Sequence, residues 1–207
     1  MSLEEKINAK LIKNNEPLVK LANFKIKTAS LNYLNIKEND LYAREKVAYK
    51  LMEVNKGLPE NYELIVLDAF RTIKQQQNRY EQKVKELKNQ YEHLTEEQIL
   101  KEASEYTENP TDIPTHTTGG AVDVSLLYKD KLVDMGCFYG TIDFRTKTDS
   151  SFLITSMQQK NRQILKNAME NQGFVNNPLK WWHYSYGDEA WANKNKTRPL
   201  YGKKSII

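Results

Sequence analysis

Thr115-His116-Thr117-Thr118-Gly119-Gly120-Ala121-Val122-Asp123-Val124-Ser125-Leu126-Leu127 is the stretch whose reading decides the fold. From Gly120 onward, Ala121, Val122, Val124, Leu126 and Leu127 predict an apolar strand. His116 and Asp123 are seven residues apart, so they cannot share one face of a short strand by counting. They converge if a turn lies between them and brings a loop residue back over the strand, and Gly119-Gly120 stands where that turn is needed. A third donor from a distant strand would complete a nitrogen, oxygen, nitrogen set. His183, in Lys180-Trp181-Trp182-His183-Tyr184, is the candidate. Such a set leaves a fourth position open, as catalytic zinc requires. Two unrelated histidines and a capping aspartate fit the same residues, and the spacing alone does not choose. The chain's third histidine, His93, falls in a charged break between helices and has no such partners.

Working outward, Lys131 to Met135 can pair with this strand through a turn at Lys129-Asp130. Glu63 to Asp68 predicts another strand, rich in branched apolar residues and buried on both faces. Residues 41–56 predict a helix, with Val47 and Leu51, and Ala48 and Met52, at helical spacing before Gly57. Residues 73–105 are charged and Gln-rich and read as two helices, a hairpin excursion laid against the core. Thr95 and Gln98 fit a capping box for the second helix. Met157 to Gln172 predicts a helix closed by Gly173, and Trp181 to Tyr186 the last strand, with its two tryptophans on opposite faces. Residues 1–16 read as a weak helix or loose arm, and 22–40 as extended. The basic tail, 193–207, reads as surface-bound or mobile. The order of elements predicts an α+β class: a small antiparallel sheet flanked by helices, in one domain over 1–207.

The 207 residues are 39% hydrophobic and 28% charged, with a net charge of +4. The lysines are scattered rather than striped, which argues against nucleic acid as a partner. No apolar run approaches the roughly 18 residues that span a bilayer, which argues against a membrane segment. The single cysteine, Cys137, cannot form a disulfide within the chain. With no basic segment followed by an apolar one at the start, a cytoplasmic protein is the expectation.

The run His116-x-x-Gly119-x-Ala121-x-Asp123, followed much later by Trp181-Trp182-His183, resembles the D-alanyl-D-alanine dipeptidases, a family of zinc peptidases acting on peptidoglycan peptides. Leu67-Asp68-Ala69-Phe70-Arg71 resembles the family's strand end with its arginine. Val133-Asp134-Met135-Gly136 and Tyr186-Gly187-Asp188-x-x-Trp191-Ala192 match its phrasing too. The resemblance spans about residues 40–192. It implies a zinc cofactor held by His116, Asp123 and His183, and a small D-amino-acid dipeptide as substrate. It implies that Arg71 stabilises the oxyanion formed when water attacks the peptide carbonyl. Arg71 otherwise reads as a structural ion pair with Asp68. Trp182 is a candidate wall of the substrate pocket, and Asp143 a candidate for the substrate ammonium or an ordinary loop acid.

One position departs from the pattern. The family carries a glutamate three residues before the last histidine, the general base that passes a proton from water to the leaving amine. Here that position is Lys180. A carboxylate accepts a proton and offsets the metal's charge, and an ammonium does neither. The expectation is therefore a zinc dipeptidase in cell-wall metabolism, or a relative that binds zinc and a wall peptide without cleaving it. A milder departure is Pro114-x-His116-Thr117-Thr118-Gly119, which lacks a serine of the family's first-ligand segment.

Overall fold

A computed structural model describes residues 16–32, 35–37, 40–150 and 152–204. The weak helix expected over 1–16 lies outside them, apart from Glu16. The strands are β1 (Leu18–Lys20), β2 (Lys27–Thr28), β3 (Ser30–Asn32), β4 (Asn35–Lys37), β5 (Tyr42–Arg44), β6 (Tyr62–Asp68), β7 (Ala121–Tyr128), β8 (Lys131–Leu132), β9 (Val175–Asn176) and β10 (His183–Ser185). The α-helices are α1 (Glu45–Lys56), α2 (Ile73–Gln90), α3 (Glu96–Tyr106), α4 (Ser156–Asn171) and α5 (Glu189–Lys194).

The fold is α+β, but its main sheet is mixed rather than small and antiparallel. Its order is β2-β6-β7-β10-β9, with β8 added along β7. β6, β7 and β10 are antiparallel neighbours, whereas β2 runs parallel to β6 through Lys27↔Ile65 and Thr28↔Val66. A parallel pair needs a long crossover, and the chain from β3 through α1 supplies it. β1 with β5, and β3 with β4, form two smaller pairs.

β7 is central because its sequence can be buried on both faces. Ala121 through Leu127 are all buried. α1 turns Val47, Ala48, Leu51 and Val54 to the core, and α4 turns Leu165 and Met169 to it; all six are no more than 1% exposed. Threonine caps set the starts of three helices. Thr72, Thr95 and Thr155 each accept from the backbone three residues on, and Gln75, Gln98 and Gln158 reach back in turn. α2 and α3 pack on each other through Tyr80, Leu87, Ile99 and Ala103, a cluster apart from the main core. Among the described residues, no helix is long and apolar enough to cross a membrane.

Two local expectations are corrected, and of the two alternatives for the tail the described part is attached. Leu21–Phe24 is a 3-10 helix, not extended, because Leu21 turns fully into the core and Lys25 closes the turn at φ 57°. The last strand is shorter than expected, and Trp181 and Trp182 precede it with rings at 89°. The tail is held as far as Lys204. Tyr201 is 2% exposed, lies under the Arg44 guanidinium at 4.9 Å, and donates to Glu16 Oε2. The Lys204 amide donates to Thr117 O.

Candidate metal centre

Two strand residues and one loop residue bring the donors together. β7 and β10 pair with Asp123 opposite His183. On the other side of β7, Asp68 at the end of β6 is opposite Asp123, after a bulge following Val66. His116 lies in the 3-10 helix Thr115–Thr118, which ends at Gly119 with φ 75°. That left-handed conformation suits glycine. Gly120 has a different reason: a Cβ there would stand 2.4 Å from the Tyr186 carbonyl oxygen. The two glycines let the His116 segment fold tightly against the start of β7.

The ring nitrogens are assigned by their neighbours. His116 Nδ1 is 2.6 Å from the Ala69 carbonyl oxygen. A carbonyl only accepts, so Nδ1 carries the proton and Nε2 keeps its lone pair. That Nε2 is 3.3 Å from Asp123 Oδ1. His183 Nε2 is 3.3 Å from Thr115 Oγ1, whose hydroxyl hydrogen is already given to Glu108 Oε2 at 2.9 Å. Thr115 can therefore only accept from His183, which places the proton on Nε2. Nδ1 then faces Asp123 Oδ1 at 2.8 Å.

One donor atom from each of these three residues lies within 4.8 Å of the others, so the set could hold a metal ion. Atoms sharing a tetrahedral zinc at about 2.0–2.2 Å would stand about 3.4 Å apart; His116 Nε2 and Asp123 Oδ1 are 3.3 Å apart, and His183 Nδ1 and Asp123 Oδ1, in direct contact at 2.8 Å, would part slightly to admit the ion. The electrostatics agree. Burial pushes the Asp123 carboxyl up, but His116 and His183 hold it well below the usual range. Burial lowers the His183 pKa, yet the Asp123 carboxylate outweighs it and raises it. The point between Nδ1 and Oδ1 thus attracts positive charge, whether a proton or a metal ion.

Arg71 stands beside this cluster with both readings open to it. It bonds Asp68 Oδ2 from Nε and Nη2 at 3.1 and 2.7 Å, and Gln76 Oε1 from Nη1 at 2.9 Å. Its Nη2 is also 3.7 Å from Asp123 Oδ2. Burial works against the guanidinium's charge, but Asp68 and Asp123 raise its pKa above the ordinary value. Tyr139 donates to Asp123 Oδ2 at 3.0 Å and to Asp68 Oδ2 at 3.3 Å. Two adjacent carboxylates are tolerated here because Arg71, Arg79 and Tyr139 all point at them.

The cluster opens into a cavity of about 550 Å³, lined by Arg71, Lys180, Trp182, Tyr139, Glu108 and the three donors, among others. Trp182 packs edge-on against Tyr139 at 5.5 Å, whereas Trp181 turns away and donates to Cys137 Sγ. Lys180 Nζ donates to the Tyr106 carbonyl at 3.3 Å. Burial lowers its pKa, against the pull of Asp123 and Glu108. Asp143 is not among the cavity's lining residues. Its carboxylate caps the 3-10 helix Phe144–Thr146 and pairs with Arg145 Nη2 at 2.6 Å.

The sequence reading missed Glu108, Tyr139 and Gln76. Glu108 precedes Asn109-Pro110 in a loop, and Tyr139 sits in an irregular segment. No spacing links either to the histidines, and only their tertiary contacts reveal them.

Comparison with known proteins follows the same residues. The family model described as D-ala-D-ala dipeptidase matches residues 25–199. A D-alanyl-D-alanine dipeptidase of Synechocystis sp. is 31% identical over 170 residues, 69% of this chain and 67% of the relative. One of Enterococcus faecium is 36% identical over 81 residues, 38% of this chain and 40% of the relative. The chain thus spans about two thirds of the first relative and well under half of the second. The solved structure of VanYB in complex with D-alanine-D-alanine superposes with a TM-score of 0.50 at 18% identity, over 88% of this chain and 83% of that one. The expectation of a cytoplasmic protein is overturned here. The finding that overturns it is the likeness to VanYB in complex with D-alanine-D-alanine. That expectation rested on the absence of a leader-like segment, a membrane-spanning run and a disulfide pair, and such absences say nothing about location.

Proposed function

This chain belongs to the D-Ala-D-Ala dipeptidase family, and from that premise we propose that it is a zinc-dependent hydrolase of D-alanyl-D-alanine, or of a similar small D-amino-acid dipeptide, in peptidoglycan metabolism. One observation carries the reading: His116 Nε2, Asp123 Oδ1 and His183 Nδ1 gather at the floor of a cavity that also presents Arg71. When bound, zinc supplies a Lewis acid that polarises a carbonyl oxygen and makes water more acidic.

The chain's own residues do the rest. Ala69 O and Thr115 hold the two imidazoles with the correct nitrogens forward. Arg71, fixed by Asp68 and Gln76, offers a charge that cannot be lost to the oxygen that becomes anionic as the carbonyl is attacked. Trp182 and Tyr139 form an apolar wall beside the peptide and limit water there. Lys180, with its proton affinity lowered by burial, stands at the position where the family resemblance implies a glutamate. In its neutral form it accepts a proton from the attacking water and returns it to the leaving amine.

Lys180 also favours a second reading, a protein that binds the metal and a wall peptide without cleaving it. Release of free D-alanine from D-alanyl-D-alanine by the zinc-loaded protein separates the two. The wild type releases D-alanine, and Lys180→Glu does so at least about tenfold faster. No release by either protein favours the binding reading. Equal, rapid release by both removes position 180 from proton transfer.

A further inference from the structure

The three residues that end α3 and follow it are joined to the centre at separate points. Gln76, fully buried in α2, donates to Thr107 Oγ1 at 3.0 Å and to Glu108 O at 2.7 Å, while its Oε1 accepts from Arg71. Tyr106 O accepts from Lys180. The Glu108 carboxylate accepts from both the amide and the hydroxyl of Thr115, each at 2.9 Å. Thr115 Oγ1 in turn lies 3.3 Å from His183 Nε2.

We propose that Glu108 is a positioning residue: through Thr115 it fixes the orientation and tautomer in which His183 presents Nδ1 to the metal. The inference rests on the metal-dependent reading of the site given above. Its physical basis is the direction of each hydrogen bond. A carboxylate only accepts, so it takes the Thr115 hydroxyl hydrogen. The hydroxyl oxygen is left with lone pairs alone, and the imidazole nitrogen facing it must carry the proton. The other nitrogen, Nδ1, faces Asp123 Oδ1 at 2.8 Å, and a bound metal would take the place of the proton that this contact holds without it. Without the carboxylate the hydroxyl is free to turn and donate to Nε2, which moves the proton to Nδ1 and blocks the donor. Outer partners of this kind orient a ligating imidazole and raise its basicity. Glu108 also sets a negative charge near His183 and Lys180.

The sequence alone would not connect these residues. Glu108 and His183 are far apart in the chain, and the link passes through a threonine next to a different ligand. The segment reaches the site because α2 and α3 pack together and Gln76 anchors their end.

The test is zinc affinity of the full chain, measured by competition with a chromophoric chelator. Thr115→Val and Glu108→Ala are expected to bind zinc about 10–100-fold more weakly than wild type. Thr115→Ser, which keeps the hydroxyl, is expected to stay within about threefold of wild type. Nitrogen-15 spectra of the zinc-loaded wild type and Thr115→Ser should show His183 protonated on Nε2. Wild-type affinity in both Thr115→Val and Glu108→Ala overturns the proposal. So does an equal loss in Thr115→Ser and Thr115→Val, because that points to packing rather than the hydrogen bond. A wild-type chain that takes up no zinc overturns this inference and the proposed function together. Zinc uptake with the pattern above but no D-alanine release overturns only the hydrolase reading.

Discussion

Asp123 and His183 face each other across β7 and β10, with Oδ1 and Nδ1 2.8 Å apart. Two of the three candidate ligands are thus placed by sheet register rather than by a loop. Side chains alternate along a strand, so a slip of one residue would send one of them to the opposite face. Asp68 extends the same row on the far side of β7. The row sets a carboxylate between a histidine and a second carboxylate, and Arg71 bridges the two acids.

Removing His116 removes one of three donors and leaves the Ala69 carbonyl without its partner. A ligand that binds only the folded chain stabilises it, by about 2.7 kcal/mol when present at a hundred times its dissociation constant. Wild type should therefore melt at a higher temperature with zinc than with a chelator. His116→Ala should show no such difference and no stoichiometric zinc by elemental analysis. Full zinc content in His116→Ala would remove this centre from consideration.

Arg71→Lys keeps a positive charge but loses the planar fork that spans Asp68 and Gln76. A lysine ammonium cannot make those bonds in the same directions. The expected result is a fall in kcat of about 10²–10³, the usual cost of losing an oxyanion donor, with a smaller change in KM. Steady-state D-alanine release measures it. A kcat equal to wild type would make Arg71 a structural ion pair only.

Asp68→Asn should destabilise the protein by about 3 kcal/mol at pH 7, because a buried guanidinium loses its nearest partner. Burial pushes the Asp68 carboxyl up, but Arg71 and His116 outweigh it and hold it below its ordinary value. A depressed folded-state pKa gives stability that is present above the unfolded carboxyl's value, about 3.9, and is lost as pH falls through the folded value. The gap between wild type and variant should stay level from pH 7 to 5 and narrow only below about 3.9. Urea unfolding across that range checks both size and shape. A gap that already closes near pH 6 contradicts the assignment.

Gly120→Ala places a methyl 2.4 Å from the Tyr186 carbonyl, where β7 and β10 begin to pair. Overpacking of this kind costs about 1–3 kcal/mol. Gly57→Ala is the control, because its Cβ would meet only ordinary contacts at 3.5 and 3.6 Å. Thermal unfolding should show a clear loss for the first and little change for the second. Equal stability of both would mean that the two strands part without cost.

Long apolar runs made much of this fold legible in the sequence. β6, β7, α1 and α4 each carry enough apolar residues for a period to be read, and Thr95 with Gln98 marks the start of α3. β2 and β9 do not, because two residues have no period. The parallel pairing of β2 with β6 was therefore invisible, and the sheet looked simpler than it is. The anchor of the tail was not legible either. Its basic composition fits a surface-bound or a mobile segment, and nothing local marks Tyr201 as a residue that holds it down. Within the centre, His116, Asp123 and His183 stood out because glycines and tryptophans frame them. Glu108 did not, because a carboxylate in a polar loop has no local signature.

The β7–β10 pairing also orders events during maturation. It joins residues 60 positions apart, and long-range closures of this sort are entropically costly and form late. Until β10 docks, only His116 and Asp123 are close in the chain, and two donors make a poor trap for an ion. The full set of three donors therefore exists only once β10 is paired with β7. An ion held by all three would lock that pairing in place.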